Sequence, residues 1–125
     1  MNKSQIVNKM ISVIEDYAEK YNLEISDPVY GEAFKNSIWE GLIKDDSDIH
    51  HIIASNEDMS IELRSFWGSP ELSVRSDSGL LVLLYRENSQ TNQYEVSEFR
   101  VDGFNYLSRI EELGSIIKFI ESEEF

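Results

Sequence analysis

The chain has no cysteine in its 125 residues, so disulfides, thiol nucleophiles and thiolate metal sites are excluded. That absence fits a reducing compartment. Its 6 glycines stand singly, at 31, 41, 68, 79, 103 and 114. Without a glycine cluster there is neither a phosphate-cradling loop nor a dinucleotide-binding turn. Long apolar runs are also missing. The longest spans residues 80–85, against the roughly 20 residues that a membrane-crossing helix needs. Glu15, Asp16 and Glu19 stand where a secretory signal would keep an unbroken apolar stretch. The expected setting is the cytoplasm, away from membranes. His50 and His51 are the only histidines and no G-x-S-x-G turn occurs, so a serine triad has few bases to draw on.

Basic residues are scarce as well: 11 against 24 acids, a net charge of −13. The imbalance is uneven. Residues 15–62 hold 13 acids, opposed only by Lys20, Lys35 and Lys44, for a net −10. A field of that sign repels phosphate backbones, which argues against direct nucleic-acid binding. It would speed encounter with a basic protein and make that encounter sensitive to salt. Solubility alone is the plainer explanation of such acidity.

What is present supports folding. Hydrophobic residues make up 41% and aromatics 11% of a chain the size of one domain. Ile6, Met10, Val13, Ile14, Tyr17 and Tyr21 recur at helical spacing and predict a helix over 4–22, capped by Ser4. Asp27 and Pro28 read as the start of a second helix over 28–43, with Tyr30, Phe34, Ile38 and Leu42 at intervals of four. A third, short helix is expected over 47–55, from a cap at Ser47 through Ile49, Ile52 and Ile53.

The period then changes to two. Ile61 and Leu63 alternate with Glu62 and Arg64, and Leu72 and Val74 with Ser73 and Arg75. Strands are expected over 59–67, 71–76, 80–86 and 94–101, with a turn at Gly68, Ser69 and Pro70. The run at 80–85 reads as a central strand buried on both faces. A last helix is expected over 105–122. The resulting fold class is α+β: a four-stranded antiparallel meander packed with N-terminal helices and one C-terminal helix, in a single domain over 1–125.

Four groups of residues could carry chemistry or recognition. Counted from Asp46, the segment through Asp48 and Glu57 partly follows a calcium loop, but His50 and His51 stand where an oxygen ligand and a glycine belong. No metal and no cofactor is therefore expected. The carboxylate pairs Asp45/Asp46 and Glu57/Asp58 read as solvated faces, because acid–base catalysis needs two carboxylates in different environments. Arg64, Arg75, Arg86 and Arg100 each fall in or beside a strand. They form either a row for anionic groups or cross-strand partners for Glu62, Glu71, Glu95 and Glu98. Phe66 and Trp67 adjoin a turn, where neighbours point to opposite faces and one ring could be exposed as an anchor. Trp39 sits among acids as a second candidate.

Size, acidity, the missing cysteine and the acid-rich first half together resemble small acidic bacterial immunity and antitoxin-type inhibitors. The resemblance spans the chain and rests on no motif. It implies a non-enzymatic protein that occludes a basic partner, such as a nuclease toxin, with carboxylates standing in for phosphates. Trp39, Glu40, Asp45, Asp46, Asp48, Glu57, Asp58, Phe66 and Trp67 are the expected contact residues, in a monomer or homodimer. An adaptor or regulatory module is the alternative. A small enzyme with a pocket between sheet and helices is the third.

Overall fold

The computed structural model describes residues 1–30, 49–66 and 69–122. The first helix, α1, runs Lys3–Tyr21 and is capped by Asn2, not Ser4. Asn2 and Gln5 bond reciprocally: each side-chain oxygen accepts from the other's backbone N–H at 2.9 Å. That capping box satisfies two of the amides that a helix start leaves open. At the other end Asn22 takes the left-handed conformation, φ 56°, and its N–H closes on Ala18.

Seven strands follow among the described residues: β1 (Glu24–Ile25), β2 (Val29–Tyr30), β3 (Ile49–Ser55), β4 (Met59–Phe66), β5 (Ser69–Ser76), β6 (Gly79–Asn88) and β7 (Gln93–Gly103). The closing helix, α2, is Tyr106–Ile120. All strand pairs are antiparallel, in the order β1-β3-β4-β5-β6-β7, with β2 also paired to β3. The α+β class stands, with three strands more than the four expected.

The short helix expected over 47–55 is corrected to a strand from Ile49 onward. Ile49, Ile52 and Ile53 satisfy a helical period over so few residues, but the same stretch also alternates. Ile52 and Ala54 are buried, whereas His51, Ile53 and Ser55 are half-buried on the opposite face. Its β-branched residues favour a pleated surface, and partners on both edges settle the matter. The second helix is corrected at its start, where Val29 and Tyr30 pair with His51 and Ile49. Residues 31–43 lie outside the described residues. Ser69 and Pro70 belong to β5 and not to the turn, since Phe66 already pairs with Ser69.

One face of the sheet carries the core. Ile52, Ala54, Ile61, Leu63, Leu72, Val74, Leu81, Leu83 and Tyr85 meet Ile6, Val7, Met10, Val13 and Ile14 of α1 and Leu113, Ile116 and Ile120 of α2. β6 lies inside the sheet, flanked by β5 and β7 but next to its edge. The expected burial on both faces is met only in part, since Leu80 and Val82 on the open face are half-buried. Its Leu84 is buried on the face away from this cluster. Lys9 is only 2% exposed. Its ammonium lies 4.7 Å from the Phe119 ring and 3.5 Å from Ser122 Oγ, at the electronegative end of α2. No described helix is long and apolar enough to cross a membrane.

Candidate functional site

Of the nine expected contact residues, the structure places two in full. Glu57 and Asp58 are exposed in the turn between β3 and β4. Phe66 ends β4 by its backbone. Trp39, Glu40, Asp45, Asp46, Asp48 and Trp67 lie outside the described residues.

The turn that carries Glu57 and Asp58 is tied to the end of α1. Asn56 Oδ1 accepts from the amides of Asp58 and Met59, at 2.7 and 2.9 Å, which shapes the turn. The Asn56 amide group donates at 3.1 Å to the Tyr21 carbonyl, one of those the helix leaves open. Alongside, β1 brings Glu24 opposite Ser55. The end of α1, with Tyr21, therefore meets the turn that carries Glu57 and Asp58. Beside them lies β1, whose Ile25 is on the helix face opposite Ala54 and whose Glu24 is on the other face opposite Ser55. Tyr21 is 42% and Ile25 41% exposed. Lys20 is the only base in residues 15–27, and its ammonium lies over the Tyr21 ring.

The charge at this corner opposes the local helix field. The acids of α1 (Glu15, Asp16 and Glu19) all sit in its second half, and its first turn has none. Carboxylates stabilise the start of a helix and destabilise its end by a few tenths of a kcal/mol each, up to about 1. Of the three, Glu19 in the last turn carries that penalty, whereas Asp16 stands four residues before Lys20, a favourable spacing.

The open face of the sheet is mixed in charge. Arg64, Arg75, Arg86 and Arg100 are all exposed and share that face. Arg64 reaches Glu62 at 3.2 Å and stands opposite Glu71; Arg86 stands opposite Glu95; Arg100 pairs with Asp102. Glu62 also holds His51, Nε2 to Oε2 at 2.8 Å. The arginines share the face without lining up in a row, and the expected cross-strand partnership is met by Glu71 and Glu95 but not by Glu98, which stands opposite Leu84.

A further polar cluster escaped the sequence reading. Arg109 of α2 is 9% exposed and donates to Glu112 at 3.2 Å, and to the hydroxyls of Ser76 and Ser78 beside the β5–β6 turn. Tyr17 donates its hydroxyl to the other oxygen of Glu112. The cluster separates two open grooves. One of about 390 Å³ runs between the helices, past Val13, Tyr17, Ile116 and Phe119; the other, about 300 Å³, lies over Met59, Ser76, Ser78 and Asn105. Only the i, i+3 spacing of Arg109 and Glu112 could have hinted at it.

Burial, and then the hydrogen bond to Glu112, raise the Tyr17 hydroxyl far above the usual tyrosine range. Burial and neighbouring Glu121 raise Tyr85 in the same way. The unfolded chain releases these protons near pH ~10 while the folded protein keeps them. Stability is therefore complete below that pH and falls as pH rises past it, by up to about 1.4 kcal/mol per pH unit for each tyrosine. Urea unfolding between pH ~8 and ~11 should show this decline, flattened in Tyr17→Phe/Tyr85→Phe. A decline of equal steepness in the double variant would contradict it.

No protein-family model, curated protein or solved structure matches the chain.

Proposed function

We propose that the chain is an acidic protein-binding inhibitor that occludes a basic partner, such as a nuclease toxin, through the corner formed by α1, β1 and the β3–β4 turn. The observation that supports this reading is that the turn bearing the exposed Glu57 and Asp58 is tied to the end of α1 beside the exposed Tyr21 and Ile25, with Glu24 adjoining on the other face of β1. Carboxylates in that density attract cationic surfaces and stand in for the phosphates such a partner would otherwise bind. The half-exposed tyrosine and isoleucine supply apolar anchoring inside a charged rim. An adaptor that recruits a basic protein would use the same corner; suppression of the partner's activity separates the two.

The test is capture of the partner on immobilised chain from the native host, eluted by rising salt and then assayed for its own activity. The captured protein should be basic and should lose activity when the chain is added. Its association rate should fall steeply with ionic strength, and about tenfold or more in Glu24→Gln/Glu57→Gln/Asp58→Asn, with little change in dissociation. An association rate indifferent to both salt and these substitutions would overturn the assignment of the corner. Unimpaired partner activity in the complex would overturn inhibition and leave the adaptor.

A further inference from the structure

We propose that the chain pairs with a second copy of itself through the free edge of β7, antiparallel, with the two Phe99 residues facing each other across a two-fold axis.

Among the described residues, β7 is the last strand in the sheet order and pairs only with β6. Just beyond it, Phe104 N–H donates to the Ser78 carbonyl at 2.9 Å, toward the β6 side. Peptide groups in an antiparallel ladder alternate in direction, so the N–H and C=O groups of Val101 and Phe99 point away from β6. An edge of this kind is a template for another strand unless proline, lysine or a bulge blunts it. Residues 93–103 contain neither proline nor lysine. The one irregularity is the extra residue Ser97, opposite the Leu84–Tyr85 step. Upstream of it the edge is already covered, since Tyr94 N–H donates to the Met1 carbonyl at 2.8 Å. The usable edge is the regular stretch after Ser97.

That stretch carries an exposed ring: Phe99 is 58% exposed, and beyond the end of the strand Phe104 and Leu107 are each 78% exposed. Rings of that size left in water mark an interaction surface. The charges of the strand select the occupant. With Phe99 opposite its counterpart, Glu98 faces Arg100 of the second copy and Arg100 faces Glu98, one favourable pair on each side of the axis. Shifting the strands by two residues in total sets Arg100 against Arg100, which repels. Arg100 already contacts Asp102 through Nε, and the rest of its guanidinium fork serves the second carboxylate. A sheet doubled in this way keeps β1, and the acidic corner beside it, at its two far ends. The pairing is independent of the proposed inhibitory function.

Sedimentation equilibrium from low micromolar to millimolar concentration tests the proposal on the full chain, with far-UV circular dichroism to confirm folding. A monomer–dimer equilibrium is expected. Glu98→Arg and Arg100→Glu, each placing like charges opposite one another twice, should each raise the dissociation constant about tenfold or more. The exchanged double variant Glu98→Arg/Arg100→Glu should return to within about threefold of the original. A monomer at every concentration overturns the proposal. So does a dimer indifferent to the single exchanges, or a double variant no better than the singles, which would mean a different register or face.

Discussion

Gly79→Ala is expected to lower the unfolding free energy by about 3 kcal/mol or more, combining backbone strain with an overlap that has no room to relax. Gly79 and Gly103 face each other across β6 and β7 at the end of the ladder, with φ of 137° and 115°. A Cβ on Gly79 would lie 1.9 Å from the Asp102 carbonyl oxygen, and one on Gly103 2.2 Å from that of Ser78. Both obstacles are backbone, so no side chain can rotate aside. Gly114 is the contrast: it lies within α2 with nothing near its missing Cβ. Gly114→Ala should therefore stabilise by about 0.5–1 kcal/mol. Urea unfolding of the three proteins checks the pair. A loss below about 1 kcal/mol for Gly79→Ala would mean that the strands do not approach so closely.

Arg109→Ala is expected to cost about 3 kcal/mol, because it strands a partly buried carboxylate. The Arg109 side chain is 11% and that of Glu112 28% exposed, and the guanidinium is also the donor to Ser76 and Ser78. Its loss leaves Glu112, among the described residues, with the Tyr17 hydroxyl alone, and removes the bonds from α2 to Ser76 and Ser78. Adding Glu112→Gln to Arg109→Ala should recover part of the loss, with a coupling on the order of 1 kcal/mol. Strictly additive effects in that double-mutant cycle would show the two groups to be energetically independent.

These elements differ in how far the sequence revealed them. Local periodicity sufficed for α1, α2 and β4 to β7, where apolar residues recur over enough positions to separate a period of two from one near four. It failed at β3, whose three isoleucines satisfy both periods. Only pairing with β4 on one side and β1 on the other decides that segment, and such pairing is not encoded locally. The acidic corner was legible in part for the same reason. Glu57 and Asp58 stood out as an exposed pair, but Glu24 comes beside them only through the β1–β3 register, and the end of α1 only through the Asn56–Tyr21 bond. Arg109 was hidden differently: it occupies a helix position that reads as solvated, and its serine partners are more than thirty residues earlier in the chain. The edge of β7 was concealed too, since Phe99 follows the alternation of an inward residue yet lies beyond the cover of the helices.

The claim on which the functional account depends is that carboxylates crowd the α1–β1–turn corner without helping the chain to fold. Urea unfolding of Glu19→Gln/Glu24→Gln/Glu57→Gln/Asp58→Asn, at low and at high salt, measures this without any partner. At low salt the variant should be more stable than the parent by about 1–2 kcal/mol, as mutual repulsion and the helix-end penalty are relieved, and the gain should shrink toward zero as salt screens both. A variant less stable than the parent at low salt would mean that these acids are held by favourable partners within the fold, and the corner would lose its claim to be a surface kept for something else.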